Sequence, residues 1–192
     1  MEPDGRLVRL IVVGDTGEVA QFLADHDGVI TTKEALACGL SPARIRGRVN
    51  RGEWIRLAHG LMRSASHEFS ERAMVRAVVL AHNGIADSTT AAWWFGMLSE
   101  LPVPLTLSCT GKPSVVDWPV EVRVSRRGLR ADWVTEERGL AVTTKPLTAL
   151  IAAVELPEGT TFLDRMLQTG QVELRDLQKA VESAAGMMSI SP

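Results

Sequence analysis

Short apolar stretches and turn signals alternate closely in the first sixty residues. Leu7 to Val13 is a run rich in Val and Ile, stopped by Gly14-Asp15-Thr16-Gly17, and predicts a short strand or packing arm. Over Glu18 to Asp25 the apolar residues Val19, Phe22 and Leu23 fall on one side of a helix, which His26-Asp27-Gly28 ends. Val29-Ile30 reads as an extended link. Thr31 or Thr32 then supplies the N-cap oxygen of a second helix, from about Lys33 to Cys38, and Gly39 is placed for a left-handed cap. Ser41-Pro42 is the strongest start signal in the chain, a capping hydroxyl followed by proline where its missing N–H costs nothing, and it predicts a third helix to about Arg51, stopped at Gly52. Trp54-Ile55-Arg56-Leu57 alternates, Ala58-His59-Gly60 turns and Leu61-Met62-Arg63 returns, which is a hairpin. Three short helices closed by a hairpin are the order of a winged helix-turn-helix.

The small polar stretch Ser64 to Glu68 predicts a junction, so the expected domains are 1–64 and 65–192. Beyond it the pattern predicts helices over Phe69 to Ala81 and about Thr89 to Phe95, the latter capped by Ser88 and barred from continuing by Pro102 and Pro104. Strands are predicted at Leu105 to Cys109, Val120 to Val124 and Leu140 to Thr143, and helices at about Leu147 to Glu155, Thr161 to Thr169 and Leu174 to Ala184, with a frayed tail from Gly186. The fold class is therefore α+β: a winged helix followed by a mixed α/β domain.

Charge sharpens this picture. The 192 residues carry a net −2, which alone argues against nucleic acid. Yet between Ser41 and Arg63 lie Arg44, Arg46, Arg48, Arg51, Arg56 and Arg63 against the single acid Glu53, a local +5 that leaves −7 on the rest. On a helical wheel Ile45 and Val49 share the inner face of the third helix, with Pro42 close by, and the opposite arc carries Arg44, Arg46, Gly47, Asn50 and Arg51, with Arg48 on its border. Guanidinium forks match guanine edges or phosphate oxygens, Asn pairs with adenine, and a glycine lets a backbone come close to a groove. Thr31, Thr32 and Ser41 stand at helix starts, where hydroxyls and free N–H groups hold phosphates, and Arg56, His59 and Arg63 stand on the hairpin, where they are expected along the flanking minor groove or the backbone. A solvated basic helix that only aids solubility is the bland alternative. The agreement of helix, glycine, caps and hairpin favours double-stranded DNA.

These residues also resemble a known family. Gly28-Val29-Ile30-Thr31-Thr32-Lys33-Glu34-Ala35-Leu36-Ala37-Cys38-Gly39-Leu40-Ser41, continuing through Ile45-Arg46-Gly47-Arg48-Val49 to Gly52-Glu53-Trp54-Ile55-Arg56-Leu57, resembles the winged helix of AbiEi-family antitoxins. Ala86 to Gly96 with Trp93-Trp94, and Leu140 to Leu150, are similar to that family's second domain, so the likeness spans roughly residues 18 to 185 and points to its mycobacterial branch. The winged helix alone is less specific, because a similar one precedes nuclease-like domains in actinobacterial proteins. The resemblance implies a type IV-like toxin–antitoxin pair, in which the antitoxin represses its own operon and counteracts a nucleotidyltransferase-like toxin. Arg44, Arg46, Arg48 and Arg51 match the family's basic third helix as positions, whereas the chain ends sooner than longer members do.

Other chemistry is weaker. Leu10 to Gly17 imitates a phosphate-binding turn without the glycine spacing or Lys-Ser/Thr of one. Asp117 with Glu121 and Arg123 imitates a nuclease carboxylate set but lacks a second acid spaced to share a metal. His26, His59, His67 and His82 have no metal spacing, so no metal, cofactor or catalytic residue is expected. One of Trp93 and Trp94 is expected in the core, and both cysteines, Cys38 and Cys109, reduced and packed. An atypical serine kinase that modifies the toxin, and a plain regulator with a ligand pocket, stand as alternatives to a binding antitoxin. No apolar run approaches the roughly 20 residues of a membrane span, and Met-Glu-Pro-Asp does not begin like a secretory signal, so a cytoplasmic protein with no membrane partner is expected.

Overall fold

Capping chemistry lays out the first helices. The computed structural model describes residues 17–112, 115–126 and 128–188, and the chain divides into two units, Met1–Ala81 and His82–Pro192. The arm expected at Leu7 to Val13 lies outside the described residues. Helix α1 covers 17–25, burying Val19 and Leu23, while Phe22 stacks on His26 with ring centroids 3.8 Å apart. Thr31 caps α2 (Thr32–Ala37) through a full capping box: the Glu34 amide donates to Thr31 Oγ1 at 3.2 Å, and the Thr31 amide donates to Glu34 Oε2 at 2.7 Å. Gly39 takes the left-handed conformation at φ 82°. Ser41 Oγ accepts from the Arg44 amide at 3.3 Å, Pro42 opens α3 (Pro42–Asn50), and Gly52 at φ 74° turns the chain away after it.

What sequence reading takes as a link, Val29-Ile30, is a strand. β1 (Val29–Thr31) pairs antiparallel with β3 (Leu61–Ser64), which pairs with β2 (Trp54–Ala58), giving the order β1-β3-β2. The register joins Val29 to Arg63 and Ile55 to Arg63. Three helices, the first strand between the first two and a closing hairpin define a winged helix. Its core gathers Val19, Leu23, Ile30, Ala35, Leu40, Ile45, Trp54 and Met62, with Val49 and Cys38 packed against it. Burial, followed by the charges of Glu18 and Glu34, pushes the Cys38 thiol up, keeping it protonated and unreactive.

The expected boundary at 64/65 falls too early. Helix α4 (Glu71–Ala81) packs on β1 and β3 and goes with the first unit. Its apolar residues Ala73, Val75, Ala77, Val78 and Val79 are buried, and the Arg76 guanidinium donates to Asp27 Oδ2 through Nε and Nη2, both at 2.9 Å. The polar composition of Ser64 to Glu68 marks a turn inside the unit, since a sheet of three short strands leaves one face that only a further helix covers.

Among its described residues the second unit is a mixed sheet of order β6-β5-β4-β8-β7 with four α-helices and a short 3-10 turn at Ala131–Trp133. β4 (Ile85–Ala86) lies at its centre, antiparallel to β5 (Leu105–Ser108) and parallel to β8 (Leu140–Thr143); β6 (Val122–Ser125) runs parallel to β5, and β7 (Val134–Glu137) forms a hairpin with β8. Helix α5 (Ser88–Trp94) connects β4 towards β5, and α6 (Lys145–Glu155), α7 (Gly159–Gln168) and α8 (Leu174–Met188) follow β8. Ala92, Met97, Ala149, Ala152, Phe162, Met166 and Leu177 form the helical core. Trp94 is fully buried, its indole N–H donating to the Glu137 carbonyl at 2.9 Å, whereas Trp93 is half-buried. Ser88 is not the cap expected of it. Asp87 takes that position and turns its carboxylate to accept from Ser108 Oγ, and Ser88 sits at φ 48° as the first helical residue. α8 also continues past Ala184, the end that its pattern suggests.

Arg76→Met is expected to destabilise the first unit by about 2 kcal/mol, read as a lowered urea midpoint of the full chain. The loss stays below that of a wholly buried pair because the Asp27 side chain remains 20% exposed and rehydrates, while Arg76 is 2% exposed. An unchanged midpoint would place α4 outside the cooperative unit.

Candidate nucleic-acid interface

The rotation of α3 decides which of its side chains are available. Ile45 is buried and Val49 packs against the same core, so Ala43, Arg44, Arg46, Asn50 and Arg51 point outward or flank the outward arc, and all five are exposed. Gly47 lies in the middle of this arc. A Cβ there meets only the Arg51 guanidinium, at 3.1 Å from Nη1. The missing side chain therefore has a use beyond close approach to a groove: it makes room for Arg51 to lie back along its own helix.

The twelve residues singled out by sequence are not equivalent. Arg46, Arg56 and His59 line one cleft of about 290 Å³ with Thr32, Gly60 and Pro42, between α3 and the hairpin turn. Among the described residues neither Arg46 nor Arg56 is ion-paired. Arg44, Gly47, Arg48 and Arg51 line a second groove, of about 370 Å³, on the other flank of α3. There Arg51 Nε donates to Glu53 Oε1 at 2.6 Å, and Arg48 Nη1 lies 3.6 Å from Glu53 Oε2. The hydrogen bond from Arg51, with the charges of Arg51 and Arg48 against slight burial, holds the Glu53 carboxyl below its ordinary value and raises Arg51 in turn.

Several other candidates are committed to the fold. Arg48 stacks over the Trp54 ring, its Cζ 5.3 Å from the centroid. Arg63 lies on the inner strand β3, where Nη1 donates to the His67 carbonyl at 3.4 Å and the guanidinium sits over the Phe69 ring at 5.2 Å. Thr31 is consumed by its capping box, its hydroxyl donating to Glu34 at 2.8 Å. Thr32 ties α2 to the hairpin turn, with its amide donating to the Gly60 carbonyl at 2.7 Å and its hydroxyl at 3.3 Å. Ser41 spends its oxygen on the Arg44 amide yet stays exposed at the start of α3. Glu53 is the residue that sequence reading counts only as an opposing charge. Its place just past Gly52, two residues from Arg51, is the signal that pointed to a partner.

Elsewhere the weaker candidates separate. Asp117, Glu121 and Arg123 are all exposed, and among the described residues no cluster of His, Cys, Asp or Glu is arranged to hold a metal ion. Within the described residues no helix is long and apolar enough to cross a membrane.

Fold and site together define the class: a winged helix whose third helix turns a basic, glycine-bearing face outward next to a short wing. Residues 18–63 match the model of the family described as transcriptional regulator, AbiEi antitoxin. The matched stretch begins inside α1 and ends in β3, so it is the winged helix itself, and the resemblance noted at Ala86 to Gly96 and Leu140 to Leu150 lies beyond it. No curated protein matches the chain.

Gly47→Ala is expected to raise thermal stability by about 0.5–1 kcal/mol, because the only atom in the way is the movable end of Arg51. The same change puts a methyl group on the outward arc of α3, where a groove would approach, so DNA affinity is expected to fall while stability rises. A loss of stability would show that Gly47 is held by something other than helix geometry.

Proposed function

We propose that this chain is a cytoplasmic DNA-binding antitoxin. Its first unit binds operator double-stranded DNA and represses its own operon, and its second unit counteracts a nucleotidyltransferase-like toxin without catalytic residue, metal or cofactor. The observation that carries the DNA half is the outward face of α3, where Arg46 and Asn50 stand exposed with Arg56 and His59 of the wing beside Arg46. In this reading α3 enters the major groove with Ala43 and Gly47 at closest approach. Arg46 and Asn50 reach base edges, Arg44 and Arg51 reach bases or phosphates on one flank, and Arg56 and His59 reach the backbone on the other. Ser41 offers a backbone phosphate its exposed helix start, while Thr31, Thr32, Arg48 and Arg63 act by holding the frame. The description of the matched family supports the antitoxin half, and the toxin's class rests on the resemblance.

A second reading, a plain regulator answering to a small molecule, is favoured by one feature of the second unit. A cavity of about 340 Å³ there is lined by His82, Asp117 and Trp118, whose indole N–H is buried without a partner among the described residues. A toxin-like reading frame beside the gene, with co-purification of its product, separates the antitoxin from this regulator; absence of both would leave the regulator. A label transferred from ATP to that toxin would instead mark a covalent mechanism.

In a gel-shift assay on the DNA upstream of its own gene, Arg46→Ala is expected to cost about 1–3 kcal/mol, and Arg56→Ala about 1 kcal/mol with a salt slope shallower by about one. Equal affinities for both variants and the parent chain would sink the assignment.

A further inference from the structure

We propose that Glu53 is a selectivity residue of the DNA face: it holds Arg51 in the free chain and releases it only to a duplex that offers a better partner. The inference rests on the reading of α3 as the DNA-facing helix. Glu53 is the single acid between Ser41 and Arg63. Gly52, at φ 74°, reverses the chain so that the Glu53 amide donates to the Arg48 carbonyl at 3.0 Å, which fixes the residue under the end of α3. Its carboxylate then takes Arg51 at 2.6 Å and Arg48 at 3.6 Å.

The two arginines are held differently. The Arg48 side chain is 19% exposed and stacked on Trp54, so it stays, whereas Arg51 is 62% exposed and lies along the open groove beside Gly47. An exposed ion pair of this kind is weak and exchanges readily. A phosphate entering the groove meets a carboxylate at its end, a like-charge contact that every duplex suffers equally. Arg51 recovers that loss only where swinging off Glu53 gives it a bidentate partner such as a guanine edge, a gain that depends on sequence. Binding to arbitrary DNA is thereby weakened more than binding to the operator.

The full chain and Glu53→Gln are titrated against the upstream duplex and a random duplex of equal length at several salt concentrations. Gln keeps an amide oxygen for Arg51, and an unchanged thermal midpoint checks the fold. The variant is expected to bind the random duplex about tenfold tighter with a salt slope steeper by about one, and to gain markedly less on the upstream duplex, so that the ratio of affinities shrinks. In an Arg51→Ala background the same change is expected to leave that ratio unaltered, and Arg51→Ala alone, which keeps Glu53, is expected to shrink the ratio and so tests the mechanism should Glu53→Gln be poorly folded. Equal gains on both duplexes, weaker or unchanged binding by Glu53→Gln, or a ratio that still shifts without Arg51 would overturn the proposal. A parent chain that binds neither duplex would defeat the DNA reading itself.

Discussion

Burial of Ile45 on one side of α3 is the constraint on which the rest of the interface depends. A helix of nine residues has few ways to be held, and once Ile45 enters the core beside Leu40, Trp54 and Met62, the direction of every other side chain on it follows from 100° steps. Arg46 is turned to the wing, Arg44 and Arg48 to the opposite flank, and Gly47 and Asn50 outward. No arginine chooses its place. Ser41 and Pro42 set where the helix starts, Ile45 sets its rotation, and together they convert a string of alternating arginines into two basic flanks around a central strip of small residues.

A module this small needs support behind its sheet. The strands β1, β2 and β3 have three, five and four residues, and sheets of that size are marginal unless a helix covers them. α4 supplies the cover, adding a buried row of Ala and Val and an arginine that reaches Asp27 at the turn after α1. Asp27 itself sits at φ 54°, a conformation that Asp tolerates better than most residues, and Gly28 follows at φ 73° against the His67 side chain. The ion pair thus clamps the tight turn through which the chain enters β1. Removing the helix would expose that turn as well as the back of the wing.

Much of the first unit was legible because its signals are local. Capping hydroxyls, Pro42, and the glycines at 39 and 52 act within four residues of the place they mark, and the predicted helices and hairpin coincide with α1, α2, α3, β2 and β3. Apart from the end of α8, the failures are non-local. Val29-Ile30 is too short to declare a strand, and becomes one only by pairing with Arg63 and Met62 thirty residues away. Glu71–Ala81 has the same apolar pattern whichever unit it packs against, so periodicity could not assign it. Ser88 looked like a cap because hydroxyls usually are, but Asp87 and Ser108 satisfy each other across the sheet and move the helix start by one residue. β4 and β7, at two and four residues, are likewise defined by their neighbours β5 and β8.

The same distinction explains why charge counting misjudged the site. A local +5 treats six arginines as interchangeable, yet their surroundings assign them different work. Arg48 and Arg63 lie over aromatic rings and spend their cations on the frame, where a guanidinium's flat face packs better than an ammonium would. Arg51 is shared with Glu53, and Arg46 and Arg56 face a common cleft. The attraction that a duplex feels at a distance depends on the sum, because screening acts on all exposed charges alike. Which bases are read depends on the few side chains free to reorient. On the proposed reading, a winged helix of this composition gains selectivity without gaining arginines, by placing one carboxylate where it competes with DNA for an exposed one of them.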